Sequence, residues 1–334
     1  MSSAQTGLAS PRGWTRRQAL RTMLLAGAAL PLAACGSSTS EDAGPRRAWG
    51  AYIPSVIPAS DTSPSPIDQL AALAGAAPAY LHRFAAIGDS APTTDLDAIV
   101  DAGATPLLTL EPWRPDGGIV QPRYTLSRIA AGDFDADFRR WAAQLAEWGR
   151  PVLLRFAQEM NGTWYPWSIG VSGNTAADYR NAWSRMRSVF GDEGVENVSF
   201  VWAPNALTVA TTDFGDAYPG ADHVDYLALD GYNWGDTPGH HWQPAADLFS
   251  PSLARLRELD ADLPLLITEV GCAEGPAPEM KADWIRDFFA VVDAEPRLKA
   301  FLWFQTDKER DWRFNTTPAS TQAFRRGVSS LVTG

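Results

Sequence analysis

Short apolar runs recur along the chain from residue 48 onward, and each is bounded by polar residues, glycine or proline. Their length and their content of branched and aromatic residues are typical of buried β-strands. The runs are Trp49–Ile53, Tyr80–Ala85, Pro106–Leu110, Val152–Phe156, Val198–Trp202, Val224–Leu229, Leu265–Thr268 and Ala300–Phe304. The pattern therefore predicts eight strands.

Helical periodicity fills several of the intervals between these runs. Large apolar residues three and four positions apart, which lie on one face of a helix, occur from Phe138 to Trp148 and from Tyr179 to Phe190. The second stretch follows Thr175-Ala176-Ala177-Asp178, which resembles a capping box. Two more amphipathic stretches, 283–292 and 320–332, predict helices before and after the eighth strand.

Strands that alternate with helices indicate β-α units and a parallel sheet. Eight such units in roughly 285 residues suit a single α/β domain, a (β/α)₈ TIM barrel over residues 48–334. The alternative is a doubly wound sheet, which usually carries a glycine-rich phosphate loop after its first strand. The first strand instead runs into Ile53-Pro54-Ser55, so the barrel is the favoured fold. We find no internal repeat and no second domain.

Residues 1–34 read as an export signal and not as part of the fold. Thr15–Leu20 (TRRQAL) resembles a twin-arginine signal, and the apolar run Met23–Leu32 is too short for a permanent membrane span. Leu32-Ala33-Ala34-Cys35 looks like a lipobox, which implies cleavage before Cys35 and lipidation of its thiol. We therefore expect a lipid anchor on the outer face of the cell membrane and a flexible tether over residues 35–47. The alternative is an ordinary cleaved signal in which Cys35 is incidental.

Charge and the content of histidine and cysteine limit the kinds of molecule and metal that the protein is expected to bind. Residues 1–34 hold four of the 28 basic residues and none of the 39 acidic ones, so the exported chain would keep 24 basic and 39 acidic residues. Such a surface repels nucleic acid, whereas a neutral substrate is indifferent to it. The four histidines show no metal-ligand spacing, and Cys272 alone remains after lipidation. We expect no metal, no cofactor, no disulfide within the chain, and a monomer.

Two glutamates follow predicted strands at the end where a barrel of this type carries its active site. Glu159 comes after strand four and Glu269 after strand seven. Strands three places apart in a ring of eight lie across the barrel mouth, so these side chains can face each other across one bond of a substrate. Retaining glycoside hydrolysis requires two such carboxylates, one as nucleophile and one as general acid and base. The 14 tryptophans would supply aromatic faces for sugar rings.

At these residues the chain resembles a known family. The segment Arg155–Trp167 (RFAQEMNGTWYPW) is similar to the acid/base signature of glycoside hydrolase family 26, and Leu266–Gly271 (LITEVG) looks like its nucleophile strand. Pro106–Trp113 and Leu229–Trp234 also fit, in the family's order. The resemblance implies the barrel fold, retention of configuration and an endo-acting β-glycanase. β-Mannanases dominate that family, which also contains mixed-linkage β-glucanases and β-1,3-xylanases.

The resemblance also implies roles for matching residues. Glu159 would be the general acid/base and Glu269 the nucleophile, while Tyr232 would hydrogen-bond the nucleophile and hold its orientation. Trp303, on the eighth strand, would form an aromatic platform beneath the sugar being cleaved. The other candidate substrate-binding residues are Trp113, Trp164, Trp167, Asn161, His82 and Gln158.

Gln158 marks a departure from the family pattern, because family members usually carry histidine just before the acid/base glutamate. A side-chain amide can donate and accept as a neutral imidazole can, but its reach and shape differ. If Gln158 touches the sugar 2-hydroxyl, the change bears on the choice between mannose and glucose. Mannan is thus the leading candidate substrate, and a mixed-linkage β-glucan is the alternative.

Two further residues are read from position alone. Glu111 follows strand three and is interpreted as structural or as a support for the residues that contact substrate, whereas Arg155 points inward by strict alternation. Arg155 either pairs with a carboxylate or belongs to a polar layer of the barrel.

The leading hypothesis is a surface lipoprotein that hydrolyses a neutral β-linked polysaccharide. The alternative from another class is a non-catalytic glycan-binding lipoprotein, which retention of both carboxylates disfavours.

Overall fold

The computed structural model describes residues 47–58 and 63–333. In this part of the chain, parallel strands pair in sequence order and the last strand pairs with the first, which closes a barrel. The strands are β1 (Ala48–Tyr52), β2 (Tyr80–Ala86), β3 (Thr105–Glu111), β4 (Val152–Phe156), β5 (Val198–Trp202), β6 (Tyr226–Asn233), β7 (Leu265–Cys272) and β8 (Leu298–Phe304). The predicted (β/α)₈ TIM barrel is confirmed.

Helices cover the outside of the barrel and account for the amphipathic stretches of the sequence. They are α1 (Pro66–Ala74), α2 (Thr93–Asp101), α3 (Leu126–Ala130), α4 (Asp135–Trp148), α5 (Ala176–Asp192), α6 (Ala245–Leu259), α7 (Met280–Ala294) and α8 (Pro318–Thr333). The predicted capping box is present, because the Thr175 hydroxyl accepts from the Asp178 amide at 3.1 Å and the Asp178 carboxylate accepts from the Thr175 amide. The helical predictions are therefore confirmed.

One sector of the barrel departs from the repeating β-α pattern. The connection from β5 to β6, residues 203–225, contains the short 3₁₀ turn Gly215–Ala217 where the other sectors carry an α-helix. The edge between these strands is also short, with Val201 opposite Tyr226 and Trp202 opposite Leu227. An isolated bridge between Asn205 and Asp230 continues it toward the barrel mouth.

The interior of the barrel is layered along its axis. Small and medium apolar side chains fill the lower part, among them Leu107, Leu153, Val201, Leu266 and Leu302. The next inward positions are polar and completely buried: His82, Thr109, Arg155, Asp230 and Thr268. This polar layer forms the floor on which the functional site lies.

Strands β6 and β7 extend four residues beyond their predicted ends. Tyr232 and Glu269 therefore lie within strands and not after them, and Glu111 is the last residue of β3. Their backbones are held by the sheet, which fixes them more firmly than a loop would.

The predicted signal peptide, Cys35 and most of the predicted tether lie outside the described residues. Arg47, the last residue assigned to the tether, donates to the backbone carbonyl of Asp293 at 3.0 Å and so is bound to the barrel. Among the described residues we find no helix with the length and apolar character that a membrane span requires.

Candidate active site

A cavity of about 790 Å³ opens at the carboxyl ends of the strands. Its wall includes Glu111, Glu159 and Glu269 together with a set of aromatic side chains. The aromatic residues are Tyr52, Phe84, Trp113, Trp164, Tyr165, Tyr232, Trp234, Phe304 and Trp312. The predicted pair Glu159 and Glu269 therefore share one cavity, and the carboxylates of Glu111 and Glu309 also line it.

A β-bulge in β7 directs Glu269 into this cavity. The pairing of β6 with β7 shifts between Leu229 and Asp230, so that Asp230 lies opposite Glu269. Consecutive residues of a regular strand point to opposite faces, but here both Thr268 and Glu269 reach the barrel interior, as their hydrogen bonds to interior groups demonstrate. Bulges next to active sites commonly re-aim a side chain in this way.

Two donors hold the Glu269 carboxylate. Arg155 Nη2 donates to Oε1 in a short ion pair, and the Tyr232 hydroxyl donates to Oε2. Each carboxylate oxygen thus has a fixed partner, and the two bonds together set the orientation of the side chain. The orienting bond expected from Tyr232 is present in the geometry, and the arginine is an additional anchor.

Arg155 is itself fixed by the polar floor of the cavity. Its side chain is completely buried and donates to Asp230 Oδ2 at 2.6 Å and to Thr109 Oγ1 at 2.7 Å. Thr268 donates to the other oxygen of Asp230 at 2.6 Å. Burial alone would lower the pKa of Arg155, but the carboxylates of Asp230 and Glu269 raise it above its ordinary value. Both readings of Arg155 from the sequence therefore apply, since it pairs with carboxylates within a polar layer.

Glu159 lies on a strained turn that immediately follows β4. Ala157 and Glu159 have φ angles of 48° and 54°, in the left-handed region that side chains other than glycine rarely adopt. Neighbouring groups fix this backbone: the Glu159 amide donates to the Ala203 carbonyl at 2.8 Å, and the Tyr179 hydroxyl to the Ala157 carbonyl at 3.1 Å. Strain of this kind costs about 1–3 kcal/mol per residue and persists only where the surroundings enforce it.

The Glu159 side chain is almost buried and accepts two hydrogen bonds. Trp164 Nε1 donates to one carboxylate oxygen at 2.6 Å, and Asn205 Nδ2 donates to the other at 2.8 Å. Burial, with repulsion from Glu269, raises the pKa of Glu159 to about 7. A carboxyl group with this pKa can give up a proton and take one back near neutral pH.

Glu111, for which the sequence predicts a structural or supporting role, lines the cavity. Its carboxylate accepts from Gln158 Nε2 at 2.8 Å and from Trp113 Nε1 at 3.1 Å. Burial raises the pKa of Glu111 above its ordinary value. Its position at the inward-facing end of β3 was the available signal, because Leu107, Thr109 and Glu111 alternate on one face.

Three of the aromatic candidates, Trp113, Trp164 and Tyr232, line the cavity, but two others do not. Trp303 is completely buried and donates to the Trp312 carbonyl at 2.8 Å, so it cannot lie beneath a sugar. The reason is strand alternation: Leu302 and Phe304 face the barrel interior, which turns Trp303 toward the helices. Phe304 and Trp312 occupy the wall that was assigned to Trp303.

Trp167 is also completely buried, which contradicts its assignment as a sugar-stacking residue. Its ring stacks on Tyr165 at 4.3 Å between centroids, and its Nε1 donates to the Gln158 carbonyl at 2.6 Å. Tyr165, the other ring of this stack, is the one that lines the cavity. Trp167 therefore supports the turn and the wall from behind.

The three polar candidates lie behind the cavity wall and not on it. His82 is in the buried floor, where its Nε2 contacts Thr109 Oγ1 at 2.7 Å and burial holds its pKa well below the ordinary value. Asn161 donates to the carbonyls of Asn205 and Thr212 and accepts from the Asn205 amide at 2.8 Å. Gln158 binds Glu111. Direct contact with sugar is thus not the role that this geometry supports for them, because each is completely or almost completely enclosed by protein.

The fold and the site together define a (β/α)₈ barrel whose mouth holds carboxylates from opposite strands among aromatic side chains. Comparison with known proteins agrees with this class. The model of glycosyl hydrolase family 26 matches residues 128–291. The chain belongs to glycosyl hydrolase family 26.

Relatives within the family differ in the activity that their names state. The chain is 33% identical to Endoglucanase H of Acetivibrio thermocellus over 240 residues, which is 70% of this chain and 25% of that protein. It is 33% identical to a mannan endo-1,4-β-mannosidase of Bacillus subtilis over 114 residues, which is 32% of this chain and 28% of that protein. The chain thus spans about a quarter of the length of these relatives.

Among solved structures, the fold is similar to the catalytic domain of a Bacillus sp. JAMB-750 family 26 endo-β-1,4-mannanase. The TM-score is 0.67 at 17% sequence identity, over 85% of this chain and 86% of that chain. This likeness concerns the fold.

Proposed function

We propose that the protein is a retaining endo-β-glycanase that cleaves a neutral β-linked polysaccharide. The observation that carries the proposal is the contrast between two carboxylates in one cavity. Glu269 accepts hydrogen bonds from a buried arginine and from a tyrosine hydroxyl, which fix its orientation, whereas burial raises the pKa of Glu159 to about 7, so that Glu159 can carry a proton near neutral pH. Paired carboxyl groups whose environments separate their protonation states can divide the roles of nucleophile and acid.

In the first step, the Glu269 carboxylate attacks the anomeric carbon and forms a glycosyl ester. Glu159 gives its proton to the glycosidic oxygen as that bond breaks. In the second step, Glu159, now ionised, takes a proton from water, whose oxygen attacks the same carbon and releases Glu269. Two displacements restore the original configuration. Arg155 and Tyr232 would hold Glu269 in line for attack and accept it back as a carboxylate.

The charge of the cavity supports a neutral substrate. Among the described residues, Glu111, Glu159, Glu269 and Glu309 line it, and Lys308, a lysine in the same wall, lies 2.8 Å from Glu309. A polyanionic chain would be repelled by this surface, while neutral sugars can stack on its aromatic rings. The alternative of a non-catalytic glycan-binding protein predicts binding to the same polysaccharide with no turnover.

Two backbones are candidates. β-1,4-Mannan, the leading candidate from the sequence, is supported by the match to a mannan endo-1,4-β-mannosidase. A β-glucan of mixed linkage is supported by the match to Endoglucanase H, which is equally identical but covers about twice as much of the chain. Gln158, in place of the usual histidine, also separates this chain from the mannanase pattern. We therefore propose β-glucan as the preferred substrate and β-1,4-mannan as the second candidate.

The test is a product assay on mannan, galactomannan, mixed-linkage β-glucan and β-1,3-xylan with the wild-type protein and Glu269→Gln. Release of oligosaccharides of mixed length from one polymer supports endo action, and NMR of the first product shows whether the β-anomer appears first. Turnover of none of these polymers, or first release of the α-anomer, would overturn the proposal. Greater activity on mannan than on β-glucan would make β-1,4-mannan the preferred substrate and contradict our choice of β-glucan.

We further propose that the mature protein is a lipoprotein on the outer face of the cell membrane. The support is the order of twin arginine, apolar run and lipobox before Cys35. The native protein should partition into the detergent phase of a Triton X-114 separation. Cys35→Ser should move it to the aqueous phase or leave an unprocessed precursor. Native protein in the aqueous phase with an unmodified Cys35 would contradict lipidation.

A further inference from the structure

A completely buried lysine lies behind the cavity wall, at a position where a cation is unexpected. Lys281 is the second residue of α7, and its side chain has no solvent exposure. The positive end of the helix dipole disfavours a cation there, and burial of a charged amine is costly unless it is paired. A lysine in this place therefore needs specific partners.

Those partners belong to the segments that follow β7 and β8. Lys281 Nζ donates to the backbone carbonyl of Asp311 at 3.1 Å and lies 3.6 Å from Glu274 Oε1. Glu274 also accepts from the Thr316 hydroxyl. The Asp311 carboxylate is bound by Arg313 at 2.7 Å, so the hydrogen bond of Lys281 to this loop is made to its backbone. One amine thus ties α7 to two neighbouring segments.

The loop that Lys281 holds carries an aromatic part of the cavity wall. The Trp312 amide donates to the Thr306 carbonyl at 3.0 Å, and Trp303 Nε1 donates to the Trp312 carbonyl at 2.8 Å. The Lys281 bond to Asp311 anchors the residue immediately before Trp312. These bonds fix the backbone of Trp312 from behind, on the side away from the cavity.

Trp312 in turn contacts Tyr232, one of the two residues that hold Glu269. Its ring lies 4.8 Å from Tyr232 and 4.9 Å from Trp234, between centroids. The Tyr232 hydroxyl donates to Glu269. A displacement of Trp312 would therefore free the Tyr232 ring, which in turn positions the carboxylate.

We propose that Lys281 is a positioning residue that holds the loop 306–312 and, through Trp312, sets the cavity wall and the orientation of Tyr232. The catalytic consequence rests on the proposed glycanase function, whereas the effect on the loop does not. Lys281 does not touch the cavity and has no direct part in the reaction. Its loss should loosen one loop and impair turnover without unfolding the barrel.

Hydrogen–deuterium exchange of the free protein tests the effect on the loop. In Lys281→Met, amides of residues 306–313 should exchange roughly tenfold faster, the order expected when a hydrogen bond from a charged donor is lost. Peptides from β2 and β3 should be unchanged. Lys299→Met is the matched control, because Lys299 lies at the opposite end of β8. Should Lys281→Met fail to fold, Glu274→Gln removes the acidic partner and should give a smaller increase in the same peptide. Unchanged exchange in this loop would overturn the proposal.

A double-mutant cycle on the active enzyme tests the route through Trp312. Lys281→Met should lower kcat/KM roughly tenfold in the wild-type background and have almost no effect in Trp312→Ala, because the same interaction is already lost. Additive effects would mean that Lys281 acts on stability alone and would refute its positioning role. If the wild-type protein hydrolyses no polysaccharide, the proposed function fails, and the exchange experiment still decides whether Lys281 holds the loop.

Discussion

Glu159 and Glu269 are two residues of the same type whose surroundings give them different chemistry. Replacing either with glutamine preserves its shape while removing its charge. Glu269→Gln should abolish turnover, and Glu159→Gln should lower it roughly 10²–10⁴-fold on polysaccharide, the usual contribution of a positioned acid or base. Steady-state rates together with circular dichroism measure this. Near-normal turnover by a folded variant would remove that glutamate from the mechanism.

The pKa of Glu159 predicts the pH dependence of the first step. Burial, with repulsion from Glu269, raises that pKa to about 7, and the residue must be protonated to act as an acid. The value of kcat/KM should therefore fall as pH rises through about 7. In the wild-type protein this alkaline limb should be present on polysaccharide and absent on a dinitrophenyl glycoside, whose leaving group needs no acid. Persistence of the limb would assign it to another group.

Gln158 is buried behind Glu111 and does not line the cavity, which changes the expectation drawn from the sequence. Its amide donates to Glu111 Oε1 at 2.8 Å, so Gln158→Ala should act through Glu111. We expect kcat/KM to fall roughly tenfold, as for loss of a hydrogen bond to a charged group, on β-glucan and mannan alike. The measured ratio of the two activities should stay constant. A changed ratio would instead support the hypothesis, drawn from the family resemblance, that Gln158 contacts the sugar directly.

At the scale of elements, packing within the turn that follows β4 affects the pKa of the Glu159 carboxyl group. A Cβ atom on Gly162 would lie 2.4 Å from the Trp164 ring, so Gly162→Ala must displace that indole. The bond from Trp164 lowers the pKa of Glu159, and its loss should therefore move the alkaline limb to higher pH. Gly191→Ala in α5 is the control, because its new methyl group would meet no atom within 4 Å. An unmoved limb would show that Trp164 does not tune Glu159.

The elements also show which parts of the site the sequence could predict. Alternation of apolar runs and amphipathic stretches was sufficient for the barrel, and strand position brought Glu159 and Glu269 to one cavity. The β7 bulge has no local sequence signal, because it arises from pairing with β6, so the inward turn of Glu269 beside Thr268 could not be derived. The position of Trp303 could have been predicted. In a strand, Leu302 and Phe304 point to one face and Trp303 to the other, so inward-facing Leu302 and Phe304 exclude Trp303 from the cavity.

Trp312 and Tyr165 illustrate a different limit on sequence-based prediction. Trp312 lies in the loop that follows β8. The path of this loop depends on hydrogen bonds from Lys281 in α7 and from Trp303 in β8, which sequence patterns do not reveal. Tyr165 and Trp167 are both aromatic and nearly adjacent, yet only Tyr165 reaches the cavity, because Trp167 is anchored to the Gln158 carbonyl. Composition indicated an aromatic wall, but tertiary contacts determine which rings form it.

At the scale of the whole molecule, the barrel concentrates buried charge along a single axis. Arg155 lies at its centre, shared between Asp230 and Glu269, with no solvent exposure. A buried arginine that lost these partners would be an uncompensated charge, which typically costs 3–5 kcal/mol. The same ion pairs thus orient Glu269, the proposed nucleophile, and hold β4, β6 and β7 together. This coupling explains why the functional floor of the barrel is also part of its core.

The connection between β5 and β6, which lacks an α-helix, is the loop of the described barrel that we expect proteases to cut most readily. Val209 in that connection is 99% exposed, and loop tips of small residues are preferred sites of proteolysis. Elastase, which cuts after small aliphatic residues, should therefore nick the folded protein first near Val209. The cut would leave one fragment with β1–β5 and another with β6–β8, still joined along the edge between β1 and β8 and by the ion pairs of Arg155. Gel filtration of the nicked protein should recover both fragments in one peak, and a chain cleaved first at another loop would contradict this expectation. The barrel would then consist of two fragments that remain associated through their contacts after the chain between them is cut.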